Sequence, residues 1–130
     1  MAENYTSLDK ALDIAAILDE KKAQNIKVLF VREQTVLADY FVIANGSSTT
    51  QVNSLADEVE YLLNQRCGET PTSKEGHGGG SWVVMDYDDV IVHVFHTEAR
   101  DFYKLDKLWA DAEPVPTDDI FTKENSEEDK

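Results

Sequence analysis

The sequence predicts an α/β layer fold, a single layered domain in which a mixed sheet of about five strands is flanked by helices. Three observations carry this prediction. The chain has 130 residues, a length for one domain, and 42% of them are hydrophobic, enough for a substantial core. Two segments place apolar residues at helical spacing, and four short segments are rich in β-branched and aromatic residues. Their order reads α-β-β-α-(β)-β-β-α once a last helix is added near the C-terminal end.

The first helix is signalled by Thr6 as an N-cap with Asp9 three residues on, and by Leu8, Ala11, Leu12, Ala15 and Leu18 as its apolar stripe. It is expected to end before Ile26. Residues 26–32 then form a strand, Glu33-Gln34-Thr35 a turn, and Leu37 to Ala44 a second strand, the two pairing as a hairpin. After Gly46-Ser47-Ser48-Thr49 the period changes. Val52, Leu55, Ala56, Val59, Leu62 and Leu63 fall on one helical face, with Gly68 as the stop. Residues 69–81, with Pro71 and four glycines, read as a loop or weak strand. Trp82 to Met85 and Val90 to Phe95 are strands of a second hairpin, joined through Asp86-Tyr87-Asp88-Asp89. A last helix opens at Thr97, with Glu98 favourable at its positive end and Ala99, Phe102 and Tyr103 turned toward the sheet.

Twelve Lys and Arg against 26 Asp and Glu leave a net charge of −14. Nucleic-acid and anionic-membrane binding rest on basic residues meeting phosphates, so this balance argues against DNA and membranes as partners. Cys67 is the only cysteine, which forbids an internal disulfide and thiolate zinc clusters. The first five residues lack the charged and apolar regions of a secretory signal, and the chain is expected to be cytoplasmic. Domain organisation is expected as residues 1–112 for the domain and 113–130 for an acidic, disordered tail. Pro114 and Pro116 break any helix there, and the run from Lys123 to Lys130 has nothing to bury.

For catalysis, Gly46-Ser47 between a strand and a helix invites a phosphate, and Asp86, Asp88 and Asp89 invite a magnesium ion, as in a nucleotidyltransferase-like enzyme. No phosphate-loop motif is present, however, and a hydroxyl N-cap explains the first feature. Asp is equally at home in a tight turn, whereas metal-binding pairs project from one strand face. His93 and His96 are three apart and do not share a strand face, and Cys67 has no evident base beside it. No catalytic, metal or cofactor-binding residue is therefore assigned. Binding reads more easily. Trp82, Tyr87, Phe95, Phe102, Tyr103 and Trp109 gather among acids in the C-terminal half, and Trp82, directly after the glycine-rich loop, is the best candidate for exposure. A generic acidic adaptor acting through its tail is a third reading.

Several segments together carry a resemblance. Asp39-Tyr40-Phe41-Val42-Ile43 with Gly46, Ser48 and Gln51, Glu75-Gly76, Trp82 to Tyr87, Asp89 to Phe95, and Arg100 to Leu105 with Leu108-Trp109 resemble the ribosomal silencing factor, or Iojap-related, family over about residues 7–112. The resemblance implies a nucleotidyltransferase-like topology without that superfamily's catalytic equipment. It also implies a translation repressor that binds the large ribosomal subunit through its protein number fourteen and blocks joining with the small subunit when nutrients are short. The partner surface it implies comprises Trp82, Val84, Asp86, Tyr87, Asp88, His93, Glu98, Arg100 and Tyr103, and homodimers are common in the family. One departure is Asp88, where the family usually has Gly, so this hairpin tip must accommodate a side chain at a position suited to positive φ.

Overall fold

The computed structural model describes residues 5–98 and 112–117. The elements are α1 (Ser7–Glu20), β1 (Gln24–Phe30), β2 (Tyr40–Gly46), α2 (Thr49–Cys67), β3 (Ser73–Glu75), β4 (Trp82–Asp86), β5 (Val90–His96) and β6 (Glu113–Pro114). They build one mixed sheet in the order β3-β4-β5-β2-β1-β6. The central pair, β2 and β5, is parallel, and every other pair is antiparallel. The α/β class is as expected, with six strands where about five were foreseen. No helix among the described residues is long and apolar enough to cross a membrane.

Both helix starts follow from their caps. Thr6 accepts the Asp9 N–H while the Asp9 carboxylate accepts the Thr6 N–H, each at 3.1 Å, a reciprocal capping box. Ser48 accepts the Gln51 N–H at 3.0 Å, and Gly68 closes α2 in the left-handed conformation. The α2 face is as expected: Val52, Leu55, Ala56, Val59 and Leu63 are buried. On α1 the buried stripe is Ala11, Ile14, Ala15 and Leu18, joined by Ile17, and Leu8 and Leu12 are half-buried at its margin. Both helices cover the same face of the sheet, closing a core with Val28, Val42, Ala44, Val83, Met85, Val90, Val92 and Val94.

The first hairpin forms with shifted ends. A bulge between Gln24 and Lys27 extends β1 toward α1. The connection to β2 is longer than the expected three-residue turn. The Val31 carbonyl accepts N–H bonds from Gln34 and Thr35, and Arg32 closes the loop with a bidentate pair to Asp39 at 2.8 and 3.0 Å. Val36 and Leu37 are thereby left exposed instead of entering the strand. At the far edge, β6 pairs with Leu29 and Phe30, and the Val115 N–H reaches the Val28 carbonyl at 2.8 Å. The start of the acidic C-terminal segment is thus part of the sheet.

Lys10 ties the layers together. Its ammonium lies 2.8 Å from Asp89 and 3.0 Å from Glu69, joining α1 to the β4–β5 tip and to the end of α2. Burial alone would lower its pKa, but the hydrogen bonds to the two carboxylates outweigh burial and raise it. Because Asp89 and Glu69 are each about one third exposed, water compensates part of a lost partner. Lys10→Met is expected to cost about 1–3 kcal/mol, read as a lower urea midpoint at an unchanged slope.

The glycine-rich loop is docked on α2. The Gly78 N–H donates to Asn53 at 3.0 Å, and His77 lies 2.9 Å from Asp57. Gly76, at φ +87°, faces the Trp82 carbonyl so closely that an added Cβ would collide with backbone, and Gly80 faces Thr49 in the same way. Gly76→Ala combines strain at positive φ with that collision. It is expected to destabilise the domain by about 2 kcal/mol or more, measurable by thermal or urea unfolding.

Candidate partner-binding surface

Strand alternation sorts the side chains of the second hairpin onto two faces. Val83, Met85, Val92 and Val94 point toward the helices. Trp82, Val84 and Asp86 of β4, with Ile91, His93 and Phe95 of β5, belong to the face opposite α1 and α2, where Phe41, Ile43 and Leu29 continue the layer across β2 and β1. The register sets Trp82 opposite Phe95 and Val84 opposite His93.

An aromatic group forms at the start of β4. The Trp82 and Phe95 rings stack with centroids 4.9 Å apart, and the Trp82 indole N–H donates to His93 Nδ1 at 3.1 Å. Phe41 meets the His93 ring edge-on at 4.9 Å. Phe95 is fully buried and His93 is 7% exposed, whereas Trp82 and Val84 are half-buried and present part of their surface to solvent. Burial disfavours the imidazolium and pulls the His93 pKa down to about 4, so the ring is neutral near pH 7. Since Nδ1 accepts a hydrogen bond, the ring proton sits on Nε2, and that buried atom has no hydrogen-bond partner.

The hairpin tip is built from the carboxylates. Asp86 Oδ1 accepts the Asp88 N–H at 2.7 Å, and Asp88 takes φ +75°, so the chain adopts the left-handed turn with Asp where the family pattern has Gly. Asp88 is exposed and Asp86 half-buried. Tyr87 differs from the surface expected for it. It points into the helix-side core, is 2% exposed, and its hydroxyl is buried without a partner. Glu98 is exposed, its N–H donating to His96 Nδ1 at 3.3 Å. Arg100 and Tyr103, with the helix expected beyond Glu98, lie outside the described residues.

The residues of the enzyme alternative are held apart. Gly46 ends β2 beside His96, while Asp89 precedes β5 beside Asp39 and Tyr40. Seven strand steps separate these levels, about 23 Å at roughly 3.3 Å per residue. The Ser47 N–H and hydroxyl both donate to Gln51 Oε1, at 2.6 and 2.9 Å, and Asp89 is paired with Lys10. Cys67 donates to Asp13 at 3.4 Å, and burial, reinforced by that carboxylate, pushes its thiol pKa up, away from nucleophilic thiolate. The Trp82–His93 bond and the Lys10 tie were not foreseen. The hairpin register carries a signal for the first, because residues diagonal across a strand pair lie within reach of an aromatic side chain.

A family model described as "Ribosomal silencing factor during starvation" matches residues 4–130. A Bacillus subtilis protein named ribosomal silencing factor RsfS is 40% identical over 98 residues, covering 75% of this chain and 82% of its own length. The mouse protein named mitochondrial assembly of ribosomal large subunit protein 1 is 31% identical over 101 residues, 74% of this chain and 43% of its own. A crystal structure of a protein from Chromobacterium violaceum superposes with a TM-score of 0.71 at 34% identity, covering 76% of this chain and 83% of that one. By the extent of the family match and the coverage of the Bacillus relative, the chain belongs to the ribosomal silencing factor family.

Proposed function

We propose that this protein represses translation by binding the large ribosomal subunit through its protein number fourteen and standing in the way of the small subunit. The observation that carries the reading is the family match over residues 4–130, whose description names silencing of the ribosome during starvation. The large-subunit assembly role in the name of the mouse relative points to the same partner. Ribosomal proteins are basic, and a domain of net charge −14 complements one while discouraging non-specific adhesion to rRNA. On the face opposite α1 and α2, half-buried Trp82 is the anchor and Val84 lies beside it, while Asp86, exposed Asp88 and Glu98 supply carboxylates for basic side chains. Blocking needs only occupancy of the joining face, so no catalytic step or cofactor enters. The site of action is wherever ribosomes assemble, in a bacterium the cytoplasm.

Co-sedimentation with isolated large and small subunits tests this reading. Recovery with the large subunit alone supports it, and recovery with neither at moderate salt would overturn it. Truncation after Thr117, which keeps β6, is expected to retain most of the binding. Loss of binding on that truncation would favour an adaptor acting through its acidic tail.

A further inference from the structure

We infer that His93 is a positioning residue, one that holds the Trp82 indole in the orientation a partner meets without touching the partner itself. This rests on the reading of Trp82 as the anchor. His93 was expected at the contact surface, but its ring is 7% exposed and confined by rings, with Phe41 edge-on at 4.9 Å and Phe95 parallel at 6.3 Å. Its outward chemistry passes through Nδ1, which accepts the indole N–H at 3.1 Å.

Two contacts bear directly on the orientation of the indole. The stack on Phe95 sets the plane of the ring, and the bond to Nδ1 sets its rotation within that plane. An indole at the start of a strand otherwise has several staggered rotamers to choose from, and ordering it before encounter removes that entropy from the cost of binding. The other nitrogen supplies the second half of the argument. Nε2 carries the ring proton and is buried with no acceptor, an unfavourable state that an apolar ring of similar shape would avoid. What histidine provides here, and such a ring does not, is the acceptor for Trp82. Removing that acceptor relieves the stranded Nε2 proton but also takes away the hydrogen bond that the indole N–H makes to it, so binding is expected to fall further than stability.

The test uses the full chain, ¹⁵N-labelled, with the Trp82 indole resonance assigned through Trp82→Phe. His93→Phe removes the acceptor and the stranded proton together. It is expected to stay folded with a melting temperature near the original, to shift the indole resonance, to speed its hydrogen exchange at least tenfold, and to weaken large-subunit binding about fivefold or more. His93→Asn, whose side-chain oxygen reaches the position of Nδ1, is expected to restore much of the resonance position and the binding. Should His93→Phe fail to fold, His93→Leu replaces it with the same expectations. An unmoved indole resonance in the folded variant, or undiminished binding once the indole has moved, overturns the proposal. The failures separate cleanly. If Trp82→Ala binds normally, the anchor reading falls and takes the positioning role with it. If Trp82→Ala weakens binding and His93→Phe does not, only the positioning role falls.

Discussion

Trp82→Ala is expected to weaken binding to the large ribosomal subunit by about 2 kcal/mol or more, roughly 30-fold in Kd. Trp82 combines the features of an interface anchor: a large ring, part of its surface still open, and an orientation set against Phe95 and His93. Truncation removes the surface a partner pocket would cover, and it strands Nδ1 of His93 as well, so some loss of stability accompanies the loss of binding. A thermal melt of the variant separates the two effects. Asp88→Asn serves as the contrasting case. That carboxylate is exposed at the tip, and its neutralisation is expected to change the salt dependence of association more than the affinity. Normal binding by a folded Trp82→Ala variant would move the contact surface elsewhere on the domain.

The second large effect is a loss of stability in mild acid that depends on His93. Its pKa is about 4 in the fold against an ordinary 6.5, because burial penalises the charged ring. Between those values the unfolded chain takes up a proton at this position and the folded chain does not, so stability rises with pH across that window. Lowering the pH from above 6.5 to below 4 should cost about 3 kcal/mol from this residue alone. The hydrogen bonds from Arg32 to Asp39 and from Lys74 to Asp57 hold those carboxyls below their usual range, so their contributions fade only at lower pH. Urea unfolding of the original and of His93→Phe at several pH values between 4 and 7 isolates the effect. The expected result is a sloping midpoint for the original and a much flatter one for the variant. Equal slopes would mean that His93 titrates normally.

Much of the fold was legible because it rests on local rules. Thr6 with Asp9, Ser48 before a helical stripe, and Gly68 after it each state a helix end in a few residues, and each is where the chain bends. The second hairpin was legible for the same reason, from two β-rich runs around an Asp turn. What escaped depends on contacts distant in sequence. Glu113–Pro114 has no strand signal of its own, and Pro is tolerated there because β6 is the sheet's edge. Leu37 reads as a strand residue, yet the Arg32–Asp39 clamp holds it in a loop. Lys10 looks like a solvent-facing helix residue until Asp89 and Glu69 arrive beside it.

At the site, Trp82 was recognised by type and position, and His93 by its place on the same face. Tyr87 was grouped with them by proximity in the chain, although a period of two already sets residue 87 on the opposite face from residues 82, 84 and 86. The motif that supports family membership mixes both kinds of residue. Val83, Met85 and Tyr87 serve the helix-side core, and Trp82, Val84 and Asp86 serve the face proposed for the partner. An alternating strand binds these two roles into one stretch of sequence, so a motif match by itself does not separate them.

The central claim is that this protein keeps the ribosomal subunits apart by occupying the large one. The most direct measurement is a sucrose gradient of purified large and small subunits at joining magnesium concentration, with and without an equimolar amount of the protein. The account predicts that the joined-ribosome peak collapses into free subunits while the protein migrates with the large subunit alone. Undiminished joined ribosomes with the protein bound to the large subunit would contradict it, since the protein would then sit where it obstructs nothing.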